Sequence, residues 1–78
     1  MYYTKSESLA HELSDKLGDP DAYPLYLRYA KSFPEEKLRK LLARVLSIPD
    51  EKIRRTRGAL FTYLIGKYAE QEEHHSWN

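Results

Sequence analysis

Hydrophobic residues recur along this chain at helical spacing, and no segment alternates in the way a half-buried strand would. Leu9, Leu13 and Leu17 stand four positions apart and predict a first helix. Thr4 precedes a glutamate at capping-box spacing, and Gly18 stands where the C-terminal cap is expected. The N-terminal segment therefore predicts one helix with a defined start and end.

The next two predicted helices each begin at a proline. Pro24 predicts a second helix that runs to about Ser32, because the pre-proline residue Phe33 disfavours helical backbone. Pro34 opens the third helix, which has the strongest apolar stripe in the chain. This stripe, at positions i, i+3, i+4, i+7 and i+8, consists of Leu38, Leu41, Leu42, Val45 and Leu46.

Two further helices are predicted after Ser47. Residues 49–55 open with a proline and two acids and predict a short fourth helix, and Thr56 is a candidate cap for the fifth. We therefore predict an all-α, single-domain bundle of four or five short helices over residues 1–71, with residues 72–78 as a frayed polar tail. The predicted core is Leu13, Leu17, Leu38, Leu41, Leu42, Val45, Leu46, Ile53, Leu60, Phe61, Leu64 and Ile65.

Length and composition limit the classes of protein to consider. A chain of 78 residues has room for one domain, and without cysteine it has neither disulfides nor a thiolate metal site. The apolar runs are too short to span a bilayer, and the N-terminus lacks the order of a signal peptide. The expectation is a soluble, cytoplasmic protein that does not associate with membranes.

Positive charge is concentrated in the middle of the chain, although the net charge is only +1. Residues 37–67 contain nine Lys/Arg and two Asp/Glu, whereas the segments on either side are acidic. Such asymmetry indicates an anion-binding surface, unless the acidic flanks fold back and neutralise it. Lys37, Lys40 and Arg44 form a basic row on the third helix, which is either part of that surface or a solvated helix face.

A second group of cations lies at the junction of the fourth and fifth predicted helices. Arg54, Arg55 and Arg57 would stand beside the unpaired N–H groups that begin the fifth helix, with Lys52 close by. Side chains and helix dipole would then suit a phosphate. The competing interpretation is internal pairing of these cations with one or more nearby acids: Glu35, Glu36, Asp50 and Glu51.

Two segments resemble known nucleic-acid-binding families. In residues 41–55, the spacing of Ala43, Ser47 and Ile53 resembles a helix-turn-helix motif, in which the turn residue is usually a glycine in the left-handed conformation. That resemblance implies a second helix that offers basic residues to a DNA groove. Residues 52–68 are similar to the C-terminal helical region of DnaD-like bacterial replication proteins, which implies a location in or beside a DNA-binding region.

Tyrosine is unusually frequent in this chain. Tyr23, Tyr26 and Tyr29 lie near one face of the second helix and are either a protein-interaction face or the rim of a small core.

The sequence contains no phosphate-binding loop, nucleophile elbow or zinc-protease motif, and we expect no catalysis, no cofactor and no metal site. The favoured function is a nucleic-acid-binding module, for duplex DNA rather than RNA and mostly through phosphates; the alternative is a protein-interaction module or homodimer.

Overall fold

The chain folds into four α-helices in a computed structural model that describes residues 4–75, with side chains for residues 4–71. No strand occurs in this described part, so the all-α prediction is confirmed. Two single 3-10 turns, Pro20–Ala22 and Asp50–Lys52, lie in the connections before α2 and α4. The α-helices are α1 (Lys5–Lys16), α2 (Tyr23–Ser32), α3 (Glu35–Leu46) and α4 (Arg57–His75).

The predicted short fourth helix over residues 49–55 is wrong in extent. Only Asp50–Lys52 form a helical turn, and the backbone at Ile53 is already extended. Seven residues are too few to stabilise an α-helix without strong packing, and no residue of this turn is buried. The fifth predicted helix is therefore α4 of the structure.

The helix ends follow the capping chemistry expected from the sequence. The Thr4 hydroxyl accepts a hydrogen bond from the Glu7 N–H at 3.1 Å, and the Thr4 N–H donates to the Glu7 carboxylate at 2.9 Å. The hydrogen bond from the Thr4 N–H to the ionised carboxylate, with a further contribution from the Thr4 side chain, lowers the pKa of Glu7. Gly18 adopts a left-handed φ of 65° just after α1, and the extended backbone of Phe33 ends α2. The predicted capping box and both helix ends are confirmed.

The core lies between two helix pairs, α1 with α2 and α3 with α4. At its centre the Tyr26 ring of α2 meets the Phe61 ring of α4 edge to face, with ring centroids 6.0 Å apart. Both rings are inaccessible to solvent. The other fully buried large side chains come from α1 and α3 and are Leu13, Leu38 and Val45.

Leu46 was predicted to be in the core, and this prediction is wrong. Its side chain is 41% exposed at the last residue of α3, where the helical stripe ends. Four other predicted core residues are only partly buried: Leu41, Ile53, Leu60 and Leu64. Three buried hydrophobic residues were missing from the predicted core: Leu9, Ala10 and Tyr26.

A close contact near Gly58 joins the start of α4 to α2 and to the connection before it. A Cβ atom at Gly58 would lie 2.7 Å from the Tyr26 hydroxyl and 2.8 Å from the Asp19 carboxylate. The Tyr26 hydroxyl donates a long hydrogen bond, 3.4 Å, to Asp19. Burial, with a smaller contribution from Asp19, raises the pKa of Tyr26 to about 12. Glycine is therefore the residue that lets α4 begin at this distance from Tyr26.

Ion pairs connect α1 to α3 on the protein surface. The Arg39 guanidinium donates to both Glu12 carboxylate oxygens, at 2.8 and 3.0 Å, and also to Glu35 at 2.8 Å. Hydrogen bonds from Arg39, together with one from Lys16, lower the pKa of Glu12 to about 2. The acidic N-terminal part of the chain thus neutralises one cation of α3, as one of the two interpretations of the charge pattern expected.

This pairing predicts a pH-dependent contribution to stability. The pKa of Glu12 is below the ordinary value of 4.5 for a glutamate, so the stabilisation is complete above about pH 4.5 and is lost as the pH falls towards 2. Because the pair is partly exposed, Glu12→Gln is expected to lower the free energy of unfolding by only about 1 kcal/mol at pH 6. The difference should shrink at pH 3, measured by urea denaturation. An equal difference at both pH values, or a matching pH response in the unpaired control Glu51→Gln, would contradict this role.

The length of the helices bears on two predictions, the absence of a membrane span and the frayed tail. No helix within residues 4–75 is long and apolar enough to cross a membrane. The backbone of α4 is helical as far as His75. The predicted frayed tail, residues 72–78, lies outside the residues whose side chains are described.

Candidate nucleic-acid interface

An open groove of about 390 Å³ lies where the connection after α3 meets the beginning of α4. Residues 52–56 form one side of this junction groove. The first turns of α4 form the other side with Ala59, Leu60 and Tyr63. The groove therefore combines the basic part of the connection with a mainly apolar helix face.

The local sequence explains the shape of the groove. Pro49 has an extended backbone and precedes the 3-10 turn, and Ile53 returns the chain to an extended conformation. The Thr56 hydroxyl then accepts a hydrogen bond from the Ala59 N–H at 2.9 Å and caps α4 as predicted. Consequently the short segment between Ile53 and Thr56 carries its side chains on a bend rather than on a helix.

Lys52, Arg54 and Arg55 line the junction groove and are exposed. Within the described part of the chain, none of these three side chains takes part in a hydrogen bond or an ion pair. Exposed arginine and lysine side chains in this state are available to bind an external anion. The groove thus presents three cations on one concave surface.

The acids expected to compete for these cations are mostly engaged elsewhere. Glu35 pairs with Arg39 and Lys5, and Glu36 lies 3.8 Å from Lys40. Asp50 pairs with Arg57. Glu51 is exposed and, among the described residues, has no ion pair. One acid of the 3-10 turn therefore opposes three cations that line the groove.

Arg57 was predicted to bind phosphate with its neighbours, but its guanidinium is engaged within the protein. It donates to the Val45 carbonyl at 2.6 Å and to the Asp50 carboxylate, and its side chain is only 22% exposed. The Val45 carbonyl, in the last turn of α3, also accepts a hydrogen bond from the Ile48 N–H at 3.2 Å, and Arg57 supplies a further one. Arg57 therefore holds the connection between α3 and α4 in place.

The predicted basic row of α3 does not line the groove. Lys37, Lys40 and Arg44 are all exposed, as expected for a solvated helix face. The Lys37 ammonium lies 5.9 Å from the centroid of the Tyr68 ring, and Lys40 is next to Glu36. The structure therefore separates the seven predicted cations into a groove set, an internally paired arginine and this outer row.

The segment with helix-turn-helix spacing has its own geometry. Ser47 has a φ of −82°, which is a right-handed conformation, and Gly18 is the single residue with positive φ among those described. Residues 49–55 present the turn Asp50–Lys52 and a bend. Any contact that this segment makes with a nucleic acid depends on its side chains at the bend, because it has no helix to lie along a groove of DNA.

The tyrosines of α2 do not form an open face. Tyr26 is inaccessible, so it is unavailable as part of an interaction surface. Tyr29 is half-buried against Phe33 and Phe61, with ring centroids 6.0 and 6.4 Å away. Tyr23 is half-buried and packs on His11. The interpretation of these rings as the rim of a small core agrees with the half-burial of Tyr23 and Tyr29 but is wrong for Tyr26, which occupies the centre of the core.

Sequence reasoning did not identify Tyr63 as a site residue. Its side chain is 59% exposed, and it belongs to the lining of the junction groove. The available signal was its position: Tyr63 lies off the apolar stripe of α4 and four residues after Ala59, on the same face. Searching the polar face of the predicted helix for a large aromatic residue would have found it.

The described residues contain no group of three or more His, Cys, Asp or Glu side chains that could hold a metal ion. A second shallow depression lies beside α1, between His11 and Pro20. His11 is itself stacked on Tyr23 there, with ring centroids 4.4 Å apart. The junction groove is the candidate functional site, because three exposed cations line it.

Comparison with known proteins gives no further assignment. No protein-family model matches the chain, and no curated protein or solved structure is significantly similar to it.

Proposed function

We propose that this protein is a non-catalytic module that binds nucleic acid, with DNA as the favoured ligand, through phosphate contacts in the junction groove. The observation that carries the proposal is the presence of Lys52, Arg54 and Arg55 on one concave surface, with no carboxylate partner among the described residues. Guanidinium groups bind phosphate oxygens in pairs, and an ammonium adds a compact positive charge. A polyanion that follows the groove would meet all three cations.

Two features of the surroundings support a phosphate ligand. The groove lies at the N-terminal end of α4, where the helix dipole adds to the positive potential. The resemblance of residues 52–68 to a region of DnaD-like replication proteins covers the same segment. The alternative, a protein partner on the tyrosines of α2, has less support because Tyr26 is buried and its neighbours are half-buried.

The test is a double substitution, Arg54→Gln with Arg55→Gln. Both side chains are exposed and have no partner within residues 4–71, so the variant is expected to keep the parent's unfolding temperature. Its affinity for DNA should fall about equally for different base sequences, because phosphate contacts carry little sequence information. The slope of log K against log salt should decrease by about 0.9 for each lost contact, or up to roughly 1.8, measured by fluorescence anisotropy.

The matched control is Lys37→Gln with Lys40→Gln. It removes the same charge from the outer face of α3, where both cations already have neighbours in the protein. A non-specific effect of net charge would weaken binding equally in both variants, whereas a groove-specific effect would be larger for the arginine pair. The proposal fails if the parent does not bind DNA at moderate salt, or if loss of Arg54 and Arg55 leaves the salt slope unchanged.

A further inference from the structure

Tyr63 differs from the other tyrosines whose surroundings are described. The rings of Tyr23, Tyr26, Tyr29 and Tyr68 pack on other aromatic side chains. Within residues 4–71, Tyr63 makes no such contact, and its side chain is 59% exposed. A large aromatic surface thus remains in water beside a cationic groove, which is the arrangement expected of a stacking platform.

The cations around Tyr63 come from two sides. Arg54 and Arg55 line the same groove from the connection that precedes α4. Lys67 lies one helical turn beyond Tyr63, with its ammonium over one face of the Tyr63 ring at 5.7 Å from the centroid. A base stacked on the opposite face of the ring would have cations nearby from both the connection and α4, which suits the flanking phosphates of a strand.

The size and lining of the groove also suit a single base. Its volume of about 390 Å³ is at the lower end of the range of roughly 300–1,000 Å³ found for small-molecule sites. Ile53 and Leu60 give it an apolar lining, and the small side chain of Ala59 leaves room on the Tyr63 face of α4. An apolar lining favours contact with the face of a base, whereas binding of phosphate alone requires only polar and charged groups.

We propose that the junction groove binds single-stranded nucleic acid, with one unpaired base stacked on Tyr63 and its neighbouring phosphates held by Arg54, Arg55 and Lys67. This inference rests on the proposed function and specifies the ligand more narrowly. In a duplex each base is already stacked and paired, so a duplex offers the groove only its phosphates. A single strand offers the same phosphates together with exposed base faces. The protein is therefore expected to bind a single strand more tightly than a duplex with the same number of phosphates.

Four probes of equal phosphate number separate the two contributions. Oligo(dT) and oligo(U) carry unpaired bases on the two kinds of sugar, an abasic oligomer carries phosphates without bases, and a mixed-sequence DNA duplex carries bases that are already stacked. The protein variants are Tyr63→Leu, which keeps apolar area without an aromatic ring, and Tyr63→Phe, which keeps the ring. Because Tyr63 is exposed, both variants are expected to unfold at the parent's temperature.

Tyr63→Leu is expected to weaken binding to at least one of oligo(dT) and oligo(U) by roughly 5- to 150-fold, the range measured for loss of an aromatic stacking partner. Tyr63→Phe should retain parental affinity, and neither substitution should change the weaker binding of the abasic oligomer or the duplex. Arg54→Gln with Arg55→Gln should weaken binding to all four probes. The tighter of oligo(dT) and oligo(U) identifies the preferred sugar.

The two proposals fail in different ways. Equal affinity for the duplex and the single strands, with no effect of Tyr63→Leu, would overturn base stacking and leave phosphate binding intact. Loss of affinity in both Tyr63→Leu and Tyr63→Phe would show that the hydroxyl rather than the ring is needed, which also overturns stacking. Failure of the parent to bind any probe would reject the nucleic-acid function itself.

Discussion

Replacing Leu38 with alanine is expected to lower the free energy of unfolding by about 2–5 kcal/mol. Leu38 lies in the middle of α3 and is inaccessible to solvent, so its loss leaves a cavity that closely packed neighbours fill only in part. A domain of this size has little stability to spare, since native proteins are stable by only about 5–15 kcal/mol. Urea denaturation followed by circular dichroism measures the change.

Leu46→Ala is the matched control for this prediction. It removes the same atoms from the same helix and from the same predicted apolar stripe, but the Leu46 side chain is 41% exposed. The expected change is below about 1 kcal/mol, because little area returns to water and no closed cavity forms. Equal effects of the two substitutions would mean that the end of α3 is covered by packing that differs from the structure described above.

Gly58→Ala is expected to destabilise the protein by about 1–3 kcal/mol, although alanine ordinarily favours a helix over glycine by roughly 0.5–1 kcal/mol. The new Cβ would stand 2.7 Å from the hydroxyl of Tyr26. Tyr26 has no accessible surface and cannot move aside without disturbing its contact with Phe61. Either α4 shifts away from α2, or Tyr26 leaves its packed position, and both changes reduce core packing.

Gly66→Ala, in the same helix, is expected to change the free energy of unfolding in the opposite direction. Gly66 is exposed, and no atom outside its own helical backbone and chain neighbours lies within 4 Å of a Cβ built there. The substitution should raise the free energy of unfolding by about 0.5–1 kcal/mol, through helix propensity and a smaller entropy of the unfolded chain. Urea denaturation of both variants measures the pair, and a change of the same sign in each would contradict the close approach at Gly58.

The sequence by itself determined the features of this protein that depend on neighbouring residues along the chain. The Thr4 capping box, the left-handed Gly18 and the termination of α2 before Pro34 are local effects of hydrogen bonding and backbone sterics. The apolar stripe of α3 likewise identified the face that is buried, because a helix places residues three and four apart on one side. These predictions needed no knowledge of what the helices pack against.

Only the tertiary structure decided how far each pattern extends and which side chains remain available. Leu46 continues the stripe of α3 but is exposed at the end of the helix, and Tyr26 fills the core because Gly58 lets α4 come close. The basic cluster divided for a similar reason: Asp50 and the Val45 carbonyl lie within reach of Arg57 but leave Arg54 and Arg55 exposed. Burial and ion pairing join residues from different helices, so their outcome depends on distances in space that helical periodicity does not contain.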